Sequence, residues 1–207
     1  MLADSIIEPC TSHWSNPILL VPKKLDASGE KKWRLVIDYR KINNVIENDK
    51  FPLPNITEIL NSLSGCIYFS HLDLHQAFYN VNLDKESRQY TAFCSGQYQM
   101  TRMPMELKTS PSSFSRMMTI AMAGLNYEKC LVYQDDLVVY GNSLHPHNKN
   151  LLDIFERLRK VNLKLNAAKC VFLKTDMLYS GHVISDKSVL PDPEKKCFKK
   201  IIPSRKQ

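Results

Sequence analysis

The residues of this sequence best suited to chemistry are two adjacent aspartates, Asp135 and Asp136, set between two short apolar runs. Adjacent carboxylates in apolar surroundings are costly to bury unless a cation or hydrogen bonds compensate their charge. A second apolar segment, residues 67–73, also ends in a carboxylate, that of Asp73. Three acids from two strands can hold two hard divalent ions, an arrangement suited to in-line displacement at phosphorus.

A plainer interpretation of the acidic pair remains open. Residues 130–141 could form a hairpin whose tip simply exposes two solvated acids, and sequence spacing does not show that Asp73 meets Asp135. The two-metal interpretation therefore requires the strand that ends at Asp73 to lie beside this hairpin.

Three helices and a second hairpin are predicted around these acids. Apolar residues recur at helical spacing in residues 54–65, 110–124 and 146–160, and glycines close the first two segments. Two apolar runs separated by a turn-like segment at 26–29 predict a hairpin over residues 17–39, with basic residues at its tip. The pattern indicates one mixed unit of helices and strands.

The other potentially reactive residues are assigned to structure. His147, near the start of the third predicted helix, is interpreted as a surface or capping residue. The six cysteines are scattered without a C-x-x-C pair, which is typical of reduced thiols in an intracellular, non-secreted protein. No apolar run approaches the roughly 20 residues that span a bilayer, so neither a membrane segment nor a membrane partner is predicted.

The charge balance favours a polyanionic partner. Lysine and arginine number 28 against 21 aspartates and glutamates, a net charge of +7. The excess is concentrated in residues 23–41, which include the tip of the predicted hairpin, and in residues 194–207, within a basic tail that covers 186–207.

Eight short segments, in order, resemble the successive motifs of reverse transcriptases from gypsy-like LTR retrotransposons. They are residues 22–24, 33–43, 51–54, 68–74, 91–93, 102–104, 133–136 and 181–185. The resemblance implies an α+β fold, the fingers and palm of a right-hand polymerase, with an antiparallel palm sheet backed by helices. It assigns residues 6–65 and 83–105 to the fingers and residues 66–82 and 106–185 to the palm. It also implies that the chain ends where a thumb would begin.

The resemblance gives the acids a specific role. Asp73 and Asp135 match the principal metal ligands of the family and Asp136 matches the third carboxylate. They are expected to bind two Mg²⁺ ions, with Mn²⁺ as an alternative.

The resemblance also implies contacts to nucleotide and nucleic acid. Nucleotide contacts are expected from Lys23, or from its neighbour Lys24 if the alignment with the family shifts by one residue. They are also expected from Arg34, Phe78 and Met105. Phe78 matches the aromatic residue beneath the incoming sugar, whose bulk excludes a ribose 2′-hydroxyl. Template and primer contacts are expected from Asp38, Arg40, Tyr133, Gln134, Gly181 and His182.

The chain departs from the family pattern within residues 105–111, where the family usually has Phe-Gly-Leu and then Asn-Ala-Pro, and at residues 134 and 180. Glu106 stands where the family keeps a glycine close to the templating base and nucleotide, so it adds volume and negative charge. Gln134 replaces a residue that is usually apolar, and Ser180 replaces a frequent leucine. Glu106 is the change expected to damage the nucleotide site.

Two functions follow as hypotheses. The first is an RNA-directed DNA polymerase that adds dNTPs to a primer on an RNA or DNA template, as part of a Pol polyprotein with thumb, RNase H and integrase. It would act in the cytoplasm, inside virus-like particles. The second is a catalytically inactive, nucleic-acid-binding remnant of a decayed element.

Overall fold

A computed structural model describes residues 1–22, 33–52, 62–63, 65–133, 136–179, 182–185 and 189–191. In chain order the elements are strands β1 Ile7–Pro9, β2 Ile18–Pro22, β3 Trp33–Ile37, β4 Tyr68–Asp73, β5 Tyr98–Met100, β6 Cys130–Tyr133, β7 Asp136–Gly141, β8 Val171–Lys174, β9 Asp176–Tyr179, β10 His182–Ser185 and β11 Val189–Pro191, and helices α1 Arg40–Asn43, α2 Lys85–Arg88, α3 Ser110–Ala121 and α4 Leu144–Lys160. The prediction of an α+β fold with antiparallel sheets is confirmed.

The chain divides into two compact units. The first unit contains Met1–Phe51 and Gln76–Met117, and the second contains Pro52–His75 and Met118–Gln207. The assignment of fingers and palm to particular residue ranges stays a prediction.

The first unit holds two antiparallel strand pairs over a small apolar core. Strand β2 pairs with β3, which confirms the predicted hairpin, and β1 pairs with β5. The tip of the β2–β3 hairpin lies outside the described residues. The core beneath the pairs consists of Ile6, Ile37, Tyr39, Ile42, Phe93 and Met100. Helix α1 is only four residues long, and it is anchored in this core by the buried side chain of Ile42.

The second unit is organised by a four-stranded antiparallel sheet in the order β6-β7-β4-β8. Successive side chains of a strand point to opposite faces, so this sheet has two distinct sides. One side carries an apolar core cluster made of Leu63, Phe69, Leu131, Val138, Tyr140, Met177, Tyr179 and Ile184. Asp73 and Asp136 lie on this same side, at one end of the sheet. A smaller sheet, β11-β10-β9, supplies Met177, Tyr179 and Ile184 to the same cluster.

Two of the three predicted helices lie among the described residues. Helix α3 ends close to Gly124, whose φ of +77° favours glycine as a terminator. Helix α4 is slightly longer than predicted, and its Arg157 donates hydrogen bonds to the carbonyl oxygens of Ala121 and Ala123 at 2.8 and 2.9 Å. The predicted helix over 54–65 falls almost entirely outside the described residues. None of the helices that the structure describes is long and apolar enough to cross a membrane.

The expectation for His147 was wrong. Its side chain is completely buried, and Nε2 lies 3.1 Å from the hydroxyl of Ser70 on β4. The Ser70 hydroxyl also accepts a hydrogen bond from the backbone N–H of Leu173 at 3.1 Å. Gly141 permits the close approach, because a Cβ there would come within 2.8 Å of the His147 backbone. His147 therefore joins α4 to the sheet.

Candidate active site

The sheet of the second unit brings two of the three predicted acids together. Strand β4 pairs with β7 so that Asp73 and Asp136 are direct cross-strand partners. Directly opposite residues of an antiparallel pair project from the same face, with Cβ atoms about 5 Å apart. Both carboxylates therefore point to one side of the sheet, as the two-metal interpretation requires. Asp135 lies outside the described residues, so its expected approach to Asp73 stays a prediction.

Asp73 is held at the end of β4 by the chain that precedes β8. Its carbonyl oxygen accepts a hydrogen bond from the N–H of Asn166 at 2.9 Å. Its Oδ2 atom lies 3.2 Å from Nζ of Lys169, whose side chain is 65% exposed whereas that of Asp73 is 19% exposed. An ammonium group thus partly neutralises the Asp73 carboxylate. Lys169 is 96 residues away in the sequence, and no sequence pattern pointed to this contact.

Asp136 has a histidine partner. Its Oδ1 atom lies 2.8 Å from Nε2 of His71. His71 stands two residues before Asp73 on β4, so the two side chains share a face of the sheet. Sequence reasoning missed His71, although the alternation of strand residues could have placed it beside the acids. Burial and the nearby Asp136 charge raise the pKa of Tyr179, a buried member of the core cluster, so its hydroxyl stays protonated.

The chemistry of these residues fits a divalent cation. Asp73 and Asp136 offer hard carboxylate oxygens, the ligands that Mg²⁺ prefers. Each acid already has one oxygen against a nitrogen group, so a bound metal ion would share or displace these contacts. Within the described ranges no cluster of three or more potential metal ligands occurs, and the third predicted ligand is Asp135.

The first unit contains the described residues predicted to contact nucleotide. Arg34 on β3 faces the loop between β5 and α3, where its guanidinium contacts the sulfur of Met105. Its Nη2 atom lies 3.7 Å from Oε1 of Glu106. The Arg34 side chain is 47% exposed and that of Glu106 is 23% exposed. The residue that departs from the family pattern therefore faces the cation predicted to hold a triphosphate.

Phe78 lies in a short 3-10 turn, Ala77–Asn80, and is half-buried. Its ring packs against that of Phe114 on α3, with centroids 5.1 Å apart and the planes inclined by 37°. Phe114 is completely buried, so it fixes one side of the Phe78 ring. The contact with Phe114 is consistent with Phe78 as a sugar-contacting residue and equally with Phe78 as a packing residue.

Asp38 and Arg40, predicted near the template, are paired with each other. The Asp38 carboxylate accepts hydrogen bonds from the Arg40 backbone and guanidinium, the shortest at 2.6 Å. These bonds lower the pKa of Asp38 to about 2, so the carboxylate stays charged. The Arg40 side chain is 85% exposed, so its guanidinium remains accessible while bound to Asp38.

The remaining predicted residues lie on strands β6 and β10 or outside the described residues. Tyr133 ends β6 as the cross-strand partner of Asp136 and packs against the apolar cluster of the second unit. The backbone of His182 belongs to β10, where it pairs with Tyr179. Lys23, Lys24, Gln134 and Gly181 lie outside the described residues.

The sequence and the fold are similar to known proteins over most of the chain. The reverse transcriptase (RNA-dependent DNA polymerase) family matches residues 21–184. The retrovirus-related Pol polyprotein from transposon 412 of Drosophila melanogaster is 46% identical over 198 residues, which cover 94% of this chain and 16% of that protein. The corresponding polyprotein from transposon gypsy is 31% identical and is covered over 19% of its length.

Solved structures show the same relationship. The foamy viral protease–reverse transcriptase in complex with double-stranded DNA superimposes with a TM-score of 0.84 and 27% identity, over 98% of this chain and 35% of that one. The foamy viral enzyme in complex with an RNA/DNA hybrid gives a TM-score of 0.82 and 26% identity. The chain thus spans about a sixth to a fifth of these two curated relatives and about a third of the first of these structures. It belongs to the reverse transcriptase family, and its relatives include the Pol polyproteins of transposons 412 and gypsy.

Proposed function

We propose that this chain carries the nucleotide-adding site of an RNA-directed DNA polymerase, which extends a primer with dNTPs along an RNA or DNA template. The observation that carries the proposal is the direct pairing of Asp73 with Asp136 at the ends of β4 and β7. The foamy viral relatives are complexed with double-stranded DNA and with an RNA/DNA hybrid, which supports a primer–template partner.

In the proposed reaction, the primer 3′-hydroxyl loses its proton to solvent and its oxygen forms a bond to the α-phosphorus of the dNTP. The bond from that phosphorus to the bridging oxygen breaks, and pyrophosphate leaves. Asp73 and Asp136, together with Asp135, would hold two Mg²⁺ ions, which supply Lewis acidity at the reacting oxygens when bound. Arg34 binds the triphosphate, where its charge offsets the charge that develops on the leaving group. Phe78 lies beneath the sugar and excludes a 2′-hydroxyl.

A second candidate function is nucleic-acid binding without catalysis. It is favoured by the contact between Glu106 and Arg34, because a carboxylate that faces the triphosphate-binding guanidinium competes with the nucleotide. In this case the chain would bind a primer–template but would not extend it.

Single-turnover incorporation separates the two candidates. The chain is held in excess over a DNA primer on an RNA template with Mg²⁺, and primer binding is followed separately by fluorescence anisotropy. Extension that Asp73→Asn abolishes, with primer binding retained, supports the polymerase. If neither the wild-type chain nor Glu106→Gly extends a bound primer, the non-catalytic function is correct.

A further inference from the structure

The loop between β5 and α3 carries both Met105 and Glu106, so its position decides what these residues do to a nucleotide. Its C-terminal end is fixed by Ser110, a completely buried residue at the start of α3. The Ser110 hydroxyl donates a hydrogen bond to the carbonyl oxygen of Pro104 at 2.6 Å. The Ser110 N–H donates to the carbonyl oxygen of Leu107 at 3.0 Å. Ser110 therefore joins the end of the loop to its beginning at Pro104 and to its middle at Leu107.

A second attachment comes from Asn43, at the end of helix α1. Its Nδ2 atom donates a hydrogen bond to the carbonyl oxygen of Glu106 at 2.9 Å. Its Oδ1 atom accepts a hydrogen bond from the N–H of Lys108 at 2.8 Å. One amide thus binds the backbone on both sides of Leu107. Because one contact needs a donor and the other an acceptor, the pair of bonds fits asparagine and not an acid of the same shape.

Asn43 is itself on a rigid support. Its backbone N–H donates to the carbonyl oxygen of Tyr39 at 2.8 Å. Tyr39 is 1% exposed, and its hydroxyl donates to the carbonyl oxygen of Thr91 at 3.2 Å. Ile42, next to Asn43, is buried in the same core. The core of the first unit therefore sets the position of the Asn43 amide.

We propose that Asn43 is a positioning residue of the nucleotide site: its amide holds the 104–110 loop so that the side chain at position 106 faces Arg34. The inference rests on the proposed function, because only a nucleotide-binding Arg34 gives the position of residue 106 a catalytic consequence. With glycine at 106, the same attachment would present bare backbone beside Arg34. With Glu106 in place, it keeps the carboxylate 3.7 Å from the guanidinium.

The attachment is tested with Asn43→Ala, which removes both hydrogen bonds, and Asn43→Asp, which keeps the acceptor but replaces the donor. Asn44→Ala is the matched control, because Asn44 follows α1 and is exposed. Amide hydrogen exchange at Lys108 reports the loop without any nucleotide. We expect exchange at Lys108 to be accelerated at least about fivefold in Asn43→Ala and unchanged in Asn44→Ala. Unchanged exchange in Asn43→Ala, with thermal melting showing a folded chain, would overturn the inference.

The consequence for the site is measured as the Kd of the next complementary dNTP, with Mg²⁺ and a dideoxy-terminated DNA primer on an RNA template. In a Glu106→Gly background, Asn43→Ala should weaken dNTP binding at least about fivefold, and Asn43→Asp at least as much. With Glu106 present, the loss should be smaller, because releasing the loop also relieves the charge opposite Arg34.

The positioning role of Asn43 and the proposed nucleotide site can be refuted separately. Equal dNTP affinities for Asn43→Ala and Asn44→Ala in the Glu106→Gly background, where binding is measurable, would overturn the positioning role. If no form of the chain binds dNTP although exchange at Lys108 responds as expected, the proposed nucleotide site is wrong while the attachment of the loop by Asn43 stands.

Discussion

Replacing Glu106 should restore nucleotide binding, and the structure indicates how much. One carboxylate oxygen lies 3.7 Å from the Arg34 guanidinium. At about 4 Å and an effective dielectric constant of about 20, one unit charge interacts with another by about 4 kcal/mol. Arg34 is 47% exposed, so solvent screening reduces this value well below that limit. A recovery of about 1.4 kcal/mol, or tenfold, remains expected because the triphosphate carries several charges.

Two substitutions separate the charge of Glu106 from its volume. Glu106→Gln removes only the charge, and Glu106→Gly removes both. We expect the Kd of the complementary dNTP, measured on the dideoxy-terminated primer–template, to fall at least tenfold for Glu106→Gly and by most of that amount for Glu106→Gln. Glu47→Gln removes the same charge from an exposed position of the same unit and should change little. Reverting Gln134 to Leu should also have a much smaller effect.

Thermal melting provides a second check on this reasoning. Glu106 is not among the positive-φ residues that the structure describes, so its backbone does not need a glycine. Glycine should therefore not relieve strain, and its greater freedom in the unfolded chain should lower stability by up to about 1 kcal/mol. If Glu106→Gly raised the melting temperature without improving dNTP affinity, or if wild type and Glu106→Gln bound dNTP equally well, the electrostatic argument would be refuted.

Three further perturbations test other parts of the structure. Phe78→Ala should raise ribonucleotide over deoxynucleotide incorporation, measured as a ratio of kcat/KM values; an unchanged ratio would leave Phe78 as a packing partner of Phe114. Lys169→Gln should increase the affinity for Mn²⁺, measured by calorimetry, by up to about fivefold, because the exposed ion pair between Lys169 and Asp73 contributes at most about 1 kcal/mol. Equal affinities would show that Lys169 does not compete with the metal ion. Burial lowers the pKa of His147 below its ordinary value of 6.5, so as the pH falls the imidazole is protonated more readily in the unfolded chain than in the folded one. The folded state therefore loses stability as the pH falls below 6.5. The free energy of unfolding should therefore depend less on pH between 7 and 5 in His147→Gln.

The parts of the fold predicted from sequence are those that depend on local pattern. The β2–β3 hairpin followed from two apolar runs around a turn, and α3 followed from helical spacing closed by Gly124. Pairing between β4 and β7 could not be derived this way, because strand register depends on contacts between distant residues. The proximity of these strands was expected instead from their acidic residues, because carboxylates that share a cation must lie close together.

The residues that sequence reasoning missed or misplaced act through distant contacts. Lys169 reaches Asp73 only because residues 164–166 run beside the end of β4. His147 looked like a surface residue because polar neighbours surround it in sequence, yet Gly141 allows it to approach the sheet. The hydrogen bond from Asn43 requires Glu106, 63 positions further along the chain, to lie beside α1. Such contacts leave no periodic signal.

The two units differ in how well their residues suit the chemistry proposed for them. In the second unit, Asp73 and Asp136 have the residue types and the cross-strand register that the proposed metal site requires. In the first unit, Asn43 and Ser110 hold the backbone of the 104–110 loop by hydrogen bonds, although Glu106 is the residue expected to disfavour the proposed nucleotide site. A loop that remains properly held around one unfavourable side chain should recover through a single substitution, whereas a loop that had lost its support would not. The response to Glu106→Gly therefore measures how much of the nucleotide site this chain retains.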